Sequence, residues 1–381
     1  MIYFDNAATS FPKPKQVAVA AGKAFTKYGA NPGRSGHPMS MEAAVKVFET
    51  RESLASLFGV ENPEEVVLTA NCTFAVNFAL KGFLRQGDHI IISDLEHNAV
   101  RRPVHKLAAR GRITYSVAKT FPDIEQTVES FAARIRPNTR AIACTHASNA
   151  FGIILPIDAI GRLCRERDLL FLVDAAQTAG VLEIRPYDLG IDFLCLAGHK
   201  GLYGPTGTGA LITGLGSILD TTVEGGTGSF SDSLEQPTDM PDRMESGTVN
   251  MMGILGLGAG IDFVREKTPA AIYVHEMRLA TEAFARLRNM PGLTLHTPDF
   301  AFGSHVPVIP FNLAGKTSEE TIAELGDKGF ALRGGLHCAP LAHQKMGTME
   351  TGAARISFGA FNTLAETHQL CDAIEQLTVD S

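Results

Sequence analysis

One lysine lies in an apolar, glycine-rich stretch that contains no acid and no other Lys or Arg, CLAGHKGLYGPTGTG at residues 195–209. Such a stretch can cradle a nucleotide phosphate, but a Walker A loop places its glycines before the lysine and a Ser or Thr directly after it. Lys200 is followed by Gly201 and most of the glycines come later. The G-x-G-x-G at 256–260 falls within a predicted helix, so it does not indicate a dinucleotide site. Lys200 therefore needs another explanation.

Polar residues follow five predicted strands at the points where those strands end. The carboxyl ends of parallel strands meet at one edge of a sheet, so we expect these residues to converge on one crevice. In chain order they are Asn71, Cys72 and Thr73; Glu96, His97 and Asn98; Ser148 and Asn149; Asp174 and Gln177; and His199 and Lys200.

Pyridoxal phosphate (PLP) requires this combination of groups. Its aldehyde forms a Schiff base with a lysine amine, and its ring nitrogen needs an acid partner that keeps it protonated. Its phosphate favours the N-terminus of a helix, where unpaired N–H groups point outward. The apolar surroundings of Lys200 are expected to lower its pKa by desolvation, which favours the neutral amine. Lys200 and Asp174 are thus candidates for the lysine and the acid.

The elements that position these residues alternate along the first two-thirds of the chain. Several predicted strands are apolar at every position and do not alternate between polar and apolar residues, as in strands covered on both faces. The succession of strands and helices along the chain predicts an α/β fold with a mainly parallel seven-stranded sheet. The predicted strands lie at 64–70, 89–95, 112–118, 139–147, 169–175, 192–198 and 209–213, and the predicted helices near 73–84, 98–110, 123–135 and 157–167.

The pattern changes after about residue 250. Helical patterns run through 251–290, and the remaining segments predict a smaller α+β unit. These segments are VPVIPFNL, a helix near 317–327, FALRGG, ARISFG and a last helix near 363–378.

The composition excludes several classes of protein. The 381 residues carry a formal net charge of −7, whereas a nucleic-acid-binding protein normally shows a basic footprint. No apolar run approaches the length of a membrane span, and the N-terminus lacks the order of charges of a signal peptide, so we expect a cytoplasmic protein. The six cysteines include no C-x-x-C pair, so we expect no metal site.

Six stretches together resemble the cysteine desulfurases, which are PLP enzymes of the class V aminotransferase fold. The matches run in the family's order from residue 3 to about residue 363. The stretches are YFDNAATSFPKP (3–14), LEHNAVRRP (95–103), VDAAQTAG (173–180), LAGHKGLYGPTGTGAL (196–211), ESGTVN (245–250) and LRGGLHCAP (332–340).

The resemblance implies PLP-dependent transferase fold type I, with a large PLP-binding domain and a smaller C-terminal α+β domain. We expect an N-terminal arm at 1–15 that joins the small domain, the large domain at 16–260 and the small domain at 261–381. The resemblance also implies a homodimer.

The cofactor contacts implied by the resemblance fall on eight residues. Lys200 matches the Schiff-base lysine, Asp174 the partner of the ring nitrogen and Gln177 the contact to the phenolic oxygen. His97 matches the imidazole that stacks on the ring and shuttles protons. Phosphate contacts are implied for Cys72, Thr73 and His199, and for Thr248, which is expected to reach the phosphate of the other subunit.

Three further matches concern the substrate and the sulfur. Asn149 and Arg355 match residues that hold the substrate carboxylate, and Cys338 matches the sulfur-accepting nucleophile. The R-x-G-x-x-C spacing from Arg333 to Cys338 resembles the branch with a short, ordered catalytic loop, which is related to selenocysteine lyases. Arg333 and His337 lie close to Cys338 in sequence, and positive charge there is expected to favour its thiolate.

One position departs from the pattern of this branch. A phosphate-binding serine usually stands two residues before the His-Lys pair, where this chain has Ala197. One hydrogen bond to the phosphate is therefore expected to be missing.

The resemblance implies a desulfurase that converts L-cysteine to L-alanine and leaves a persulfide on Cys338 for an acceptor protein or a reductant. One alternative keeps the cofactor but changes the reaction: a selenocysteine lyase that acts on L-selenocysteine, another β-lyase or an aminotransferase. A second alternative is a non-catalytic scaffold on the same fold, since a fold does not fix function.

Overall fold

The computed structural model describes residues 1–33, 36–297 and 299–379. Its strands are β1 (Ile2–Tyr3), β2 (Val66–Thr69), β3 (His89–Ser93), β4 (Thr114–Ala118), β5 (Thr139–Thr145), β6 (Leu170–Asp174), β7 (Phe193–Ala197), β8 (Gly209–Ile212), β9 (Leu293–Leu295), β10 (Val308–Leu313), β11 (Phe330–Ala331) and β12 (Ala354–Ser357). Its helices are α1 (Lys15–Thr26), α2 (Pro38–Phe58), α3 (Cys72–Phe83), α4 (Asn98–Ala109), α5 (Ile124–Ala132), α6 (Ile157–Glu166), α7 (Met251–Lys267), α8 (Pro269–Leu287), α9 (Ser318–Asp327), α10 (Pro340–Met346) and α11 (Leu364–Val379).

A seven-stranded sheet forms the centre of the larger part of the molecule. Its strand order is β2-β8-β7-β6-β5-β3-β4, and β8 runs antiparallel to both of its neighbours while the other pairs are parallel. All seven predicted strands are present. The predicted α/β fold with a mainly parallel seven-stranded sheet is therefore confirmed.

The sheet has a hydrophobic core on each face, which explains its continuously apolar strands. Side chains of one strand alternate between the two cores: Ile91 packs in one, whereas Ile90 and Ile92 pack in the other. Helices α3 and α4 contribute only to the second core. Because helices cover both faces, ligands can approach these strands only at their ends.

A smaller unit follows helix α7. Strands β9, β10 and β12 form a three-stranded antiparallel sheet that packs with α8 and α11 around a separate apolar core. The N-terminal strand β1 pairs in parallel with β11 of this unit. Helix α7 runs across the predicted boundary at residue 260, and the division into an arm and two domains stays a prediction.

The sequence reading missed the helices α1 and α2 near the N-terminus. Both helices carry apolar side chains on their outward faces as well as toward the core, for example Val19 and Phe25 on α1 and Met41 and Val45 on α2. Outward apolar residues blur the period of 3.6 that identifies an amphipathic helix. Across the described ranges, none of the helices combines the length and the apolar character that crossing a bilayer requires.

Candidate active site

Ten of the eleven site residues predicted from the sequence line one cavity of ≈220 Å³ at the carboxyl ends of the parallel strands. They are Cys72, Thr73, His97, Asn149, Asp174, Gln177, His199, Lys200, Cys338 and Arg355. The eleventh, Thr248, lines a separate cavity beside Phe74 and Phe78. The structure thus brings together all the predicted residues except the one expected to serve another subunit.

Lys200 faces this cavity from the turn that follows β7. Burial of its amine lowers its pKa, and the negative charge of Asp174 opposes this shift. The N-terminal segment fixes the main chain here, because the Ser10 hydroxyl donates to the Lys200 carbonyl at 2.9 Å and the Lys13 amine donates to the His199 carbonyl at 2.6 Å. The result is a lysine on a rigid turn, with more neutral amine than a solvated lysine would have.

Asp174 is the last residue of β6 and is 3% exposed. Its Oδ1 accepts the main-chain N–H of Ala176 at 3.0 Å and the thiol of Cys72 at 3.3 Å. Burial, followed by the charge of Asp174, raises the pKa of the Cys72 thiol, so this thiol stays protonated and donates. The side chain of Cys72 is therefore engaged with Asp174, and its main-chain N–H is the group that can meet a phosphate.

The N-terminus of helix α3 opens into the cavity. The Asn71 side chain caps this helix by accepting the N–H of Phe74 at 3.1 Å. The N–H groups of Cys72 and Thr73 precede the first intrahelical hydrogen bond, so they point outward with the positive end of the helix dipole. An anion at this point meets two free donors.

His199 lines the same cavity as Cys72 and Thr73, and its contact to the phosphate stays a prediction. Its Nδ1 is buried and has no hydrogen-bond partner among the described residues. Burial lowers the pKa of His199 to about 4, and the nearby cations Lys200 and Lys13 act in the same direction. The ring is therefore neutral at pH 7, and its buried Nδ1 is available to a ligand. Ala197, which lines the cavity beside it, provides no donor.

His97 is the N-cap of helix α4. Its Nδ1 accepts the N–H of Ala99 at 3.0 Å, which places the proton of the neutral ring on Nε2. Burial lowers the pKa of this ring. The next residue, Asn98, donates its main-chain N–H to the carbonyl of Cys338 at 2.7 Å. One hydrogen bond thus joins the segment that carries His97 to the segment that carries Cys338.

Cys338 is the exposed member of the six cysteines, and the other five are buried. Its loop is held in an uncommon conformation, because His337 and Cys338 have φ values of 48° and 58°, in the left-handed region. The Asn149 amide donates to the His337 carbonyl at 2.7 Å, and His337 Nε2 donates to the carbonyl of Ala353 at 2.9 Å. Surrounding groups therefore hold the loop in place.

The charge that we expected from His337 beside the nucleophile is absent. Burial, together with the cation Arg355, lowers the pKa of His337 to about 2, so its ring is neutral at physiological pH. Arg333, which also lines the cavity, remains as a cation beside the loop.

Arg355 is 1% exposed and lies on β12. Its Nη1 donates to the Asn149 carbonyl at 2.7 Å and its Nη2 to Asp5 Oδ1 at 2.6 Å. Its Nε and the Asn149 side-chain Oδ1 are buried without a hydrogen-bond partner in the described part of the chain. Gln177 donates to the carbonyl of Ala7 at 3.0 Å. Arginine and amide groups in this arrangement can bind a carboxylate.

The sequence reading assigned no role to Asp5, and it named Glu96 only as one of several polar strand-end residues. Glu96 is fully buried; its Oε1 accepts the N–H of Thr145 at 3.0 Å, and burial raises the pKa of its carboxyl to about 8. Asp5 stands in the quoted YFDNAATSFPKP stretch, but nothing in that stretch indicates its partner on β12. In the ranges that the structure describes, no three His, Cys, Asp or Glu side chains are placed to hold a metal ion.

The cavity fits PLP on four structural features. An amine with a lowered pKa and a buried carboxylate line the same cavity, a helix N-terminus presents unused N–H groups, and a neutral imidazole has an unpartnered nitrogen. The amine is that of Lys200, the carboxylate is that of Asp174 and the imidazole is that of His199. The donor set matches the aldehyde, the ring nitrogen and the phosphate of this cofactor.

Comparison with known proteins agrees with this assignment. The family model described as "Aminotransferase class-V" matches residues 2–370. A probable cysteine desulfurase of Methanothermobacter thermautotrophicus is 31% identical, with 99% of this chain and 94% of the relative covered. A cysteine desulfurase of Salmonella agona is 32% identical, with 99% and 93% covered. The apo structure of a cysteine desulfurase from Thermococcus onnurineus NA1 superposes with a TM-score of 0.91 at 31% identity, covering 100% of this chain and 95% of that chain.

Proposed function

We propose that this chain, which belongs to the aminotransferase class-V family, is a PLP-dependent cysteine desulfurase. It converts L-cysteine to L-alanine and collects the sulfur on Cys338. The observation that carries the proposal is the convergence of Lys200, Asp174 and the exposed thiol of Cys338 on one cavity.

Different residues of the cavity bind different parts of the cofactor. When bound, PLP supplies an aldehyde that condenses with amines and a protonated ring that withdraws electrons from the α-carbon of an amino acid. Lys200 holds the aldehyde and Asp174 holds the proton on the ring nitrogen. The N–H groups of Cys72 and Thr73, together with His199, bind the phosphate. Gln177 would contact the phenolic oxygen of the cofactor, and His97 would contact its ring.

The remaining residues bind and convert the substrate. Arg355 and Asn149 hold its carboxylate, and Lys200, once released, removes the α-proton, since its lowered pKa favours the neutral base. The thiolate of Cys338 attacks the substrate sulfur. A sulfur–sulfur bond forms, the bond between the substrate sulfur and its β-carbon breaks, and the electron pair stays on that carbon. Protonation of this β-carbon and return of a proton to the α-carbon complete L-alanine, and Cys338 is left as a persulfide, so no external oxidant is required.

The chain is further proposed to work as a cytoplasmic homodimer that hands its sulfur to an acceptor protein or a reductant. Two observations support the homodimer. Thr248 lies outside its own active-site cavity, as expected for a residue that serves a neighbour. The outward faces of α1 and α2 carry exposed apolar side chains, including Phe25 and Phe48, which a second copy can cover.

The test is product analysis with L-cysteine. The parent protein should form alanine and sulfide in equal amounts in the presence of a reductant. Cys338→Ser should lose this activity by at least a hundredfold while keeping the yellow colour of the bound cofactor. If Cys338→Ser keeps full activity on cysteine, the proposed role of Cys338 is wrong.

Two further measurements separate the alternatives. Borohydride should fix the cofactor covalently at Lys200, whereas a protein that stays colourless with PLP would be a scaffold. Turnover of cysteine, selenocysteine and cysteine sulfinate should be compared in the parent and in Cys338→Ser. A lyase need not use a protein thiol for the better leaving groups, so activity on selenocysteine alone in the parent would favour a selenocysteine lyase.

A further inference from the structure

We propose that Asp5 is a positioning residue that orients Arg355 and determines which carboxylates Arg355 accepts. This inference rests on the proposed role of Arg355 as the group that binds the substrate carboxylate. Asp5 stands in the N-terminal segment, 350 positions away from its partner in the chain.

The contact between the two side chains is short and sheltered from solvent. Asp5 Oδ1 lies 2.6 Å from Arg355 Nη2, and the side chains are 18% and 2% exposed, respectively. The other end of the guanidinium is fixed at Nη1 by the carbonyl of Asn149. Two of its three nitrogens are therefore tied to the protein, and the plane of the guanidinium is set before any ligand arrives.

The N-terminal segment is built to hold Asp5 at this point. Asp5 forms a β-bridge with Ser357, two residues beyond Arg355 on the same strand β12. The N–H of Ser357 donates to the carbonyl of Phe4 at 2.7 Å, and the Ser357 hydroxyl accepts the N–H of Ala7 at 2.9 Å. The hydroxyl of Tyr3 donates to the Asp5 carbonyl at 3.1 Å. Both partners of the ion pair are thus fixed to one short stretch of sheet.

Asp5 acts through Arg355 and does not touch the ligand directly. Ala7 and Ala8 of the same segment line the cavity together with Arg355, whereas Asp5 is not among the residues that line it. Asp5 therefore contacts the guanidinium from outside the set of residues that line the cavity.

The charge balance explains what this arrangement does. A buried guanidinium needs a counter-charge, and Asp5 supplies it in the free protein. Burial lowers the pKa of Arg355, and the charge of Asp5 counters this effect. A substrate carboxylate then shares Arg355 with Asp5 and does not neutralise an unpaired cation. A carboxylate therefore binds more weakly than it would to an unpaired arginine, and the product carboxylate dissociates readily. A ligand with a second carboxylate gains little from this site, because Asp5 already balances the positive charge of Arg355.

The test measures the equilibrium affinity of the PLP-loaded protein for L-alanine and for L-aspartate by calorimetry. In Asp5→Asn the amide oxygen still accepts from Nη2, but the negative charge is gone. L-Alanine should bind to this variant about fivefold more tightly than to the parent, and L-aspartate at least tenfold more tightly. Removal of one full opposing charge, at moderate screening, changes an affinity by about tenfold. With L-cysteine, KM and kcat should both fall, because the product leaves more slowly.

Two variants serve as comparisons. Asp5→Glu keeps the charge and should retain the parent ratio of the two affinities. Glu245→Gln neutralises the carboxylate of another buried ion pair, with Arg51 at 2.7 Å, and should leave both affinities unchanged. If Asp5→Asn is insoluble, Asp5→Ser takes its place with the same expectation.

Three results would overturn the inference: an unchanged ratio of the two affinities in Asp5→Asn, weaker binding of both ligands, or an altered ratio in Asp5→Glu. Arg355→Ala separates this failure from failure of the proposed function. If Arg355→Ala abolishes L-alanine binding while Asp5→Asn changes nothing, Arg355 keeps its role and only the role of Asp5 is wrong. If Arg355→Ala binds L-alanine normally, the role of Arg355 itself is wrong.

Discussion

Replacement of Glu276 by Gln should reduce the dependence of folding stability on pH between about pH 6 and pH 8. Glu276 lies on α8 and is 3% exposed. Burial raises the pKa of its carboxyl to about 8, and the hydrogen bond from the hydroxyl of Tyr203, 3.2 Å from Oε1, acts in the opposite direction. Over most of this range the folded protein keeps a proton on Glu276, whereas the unfolded chain, with an ordinary carboxyl pKa of 4.5, has released it.

The sign and the size of the effect follow from this difference in proton binding. The folded state binds more protons than the unfolded state, so the contribution of Glu276 to stability is fully present below pH 4.5 and is lost as the pH rises through 8. At about 1.4 kcal/mol per pH unit, and with the carboxyl half ionised at the upper end, the loss from pH 6 to pH 8 is about 2 kcal/mol. For a chain of this length this corresponds to about 2–3 °C in the unfolding midpoint.

Buried histidines change the stability in the opposite direction. Burial lowers the pKa of His146 to about 4, so the folded state resists the protonation that the unfolded chain accepts. The pH curve of the parent protein alone therefore does not isolate Glu276. The difference between the parent and Glu276→Gln does isolate it, because the histidines contribute equally to both proteins.

The assay is thermal and urea unfolding of the cofactor-free protein and of Glu276→Gln at pH 6, 7 and 8 and at one protein concentration. Gln has the shape of a protonated Glu and still accepts a hydrogen bond from Tyr203, so the variant should gain about 2 kcal/mol relative to the parent over this range. Glu266→Gln on α7, whose side chain is 69% exposed, is the matched control and should show no such gain. Parallel curves for the parent and Glu276→Gln would refute the reasoning.

Four further predictions concern the candidate site. Glu96→Gln should flatten the same stability curve with the same sign, because burial raises the pKa of Glu96 to about 8; parallel unfolding curves would contradict this. Ala197→Ser should tighten PLP binding about fivefold in an absorbance titration, the value of one added hydrogen bond, whereas Ala210→Ser outside the cavity should not. Asn149→Ala should speed amide hydrogen exchange in the loop of the nucleophile at least tenfold, because it removes the donor to the His337 carbonyl; unchanged exchange would show that the loop holds itself. Thr248→Ala should weaken PLP binding, and mixing it with Lys200→Ala should restore activity in hybrid dimers, each of which has one complete site; no recovery would argue against a phosphate contact across the dimer.

The sequence by itself was sufficient to predict the central sheet and most of the residues that form the site. Strands covered on both faces must be apolar throughout, so most of the seven could be identified from short apolar runs. Polar residues directly after such strands must lie at the carboxyl edge of the sheet. For this reason Asp174, Asn149 and His199 could be placed near Lys200 from the sequence alone.

Other features depend on which distant segments pack together, and only the tertiary structure decided them. The partner of Arg355 is Asp5, and the thiol of Cys72 is turned to Asp174, contacts that no local pattern indicates. The neutrality of His337 follows from burial and a neighbouring cation, whereas its position beside Cys338 suggested a charge. Ionisation depends on every charge and apolar atom within a few ångströms. Those neighbours come from remote parts of the chain, so a pattern along the sequence can indicate where a side chain goes but not the proton it carries there.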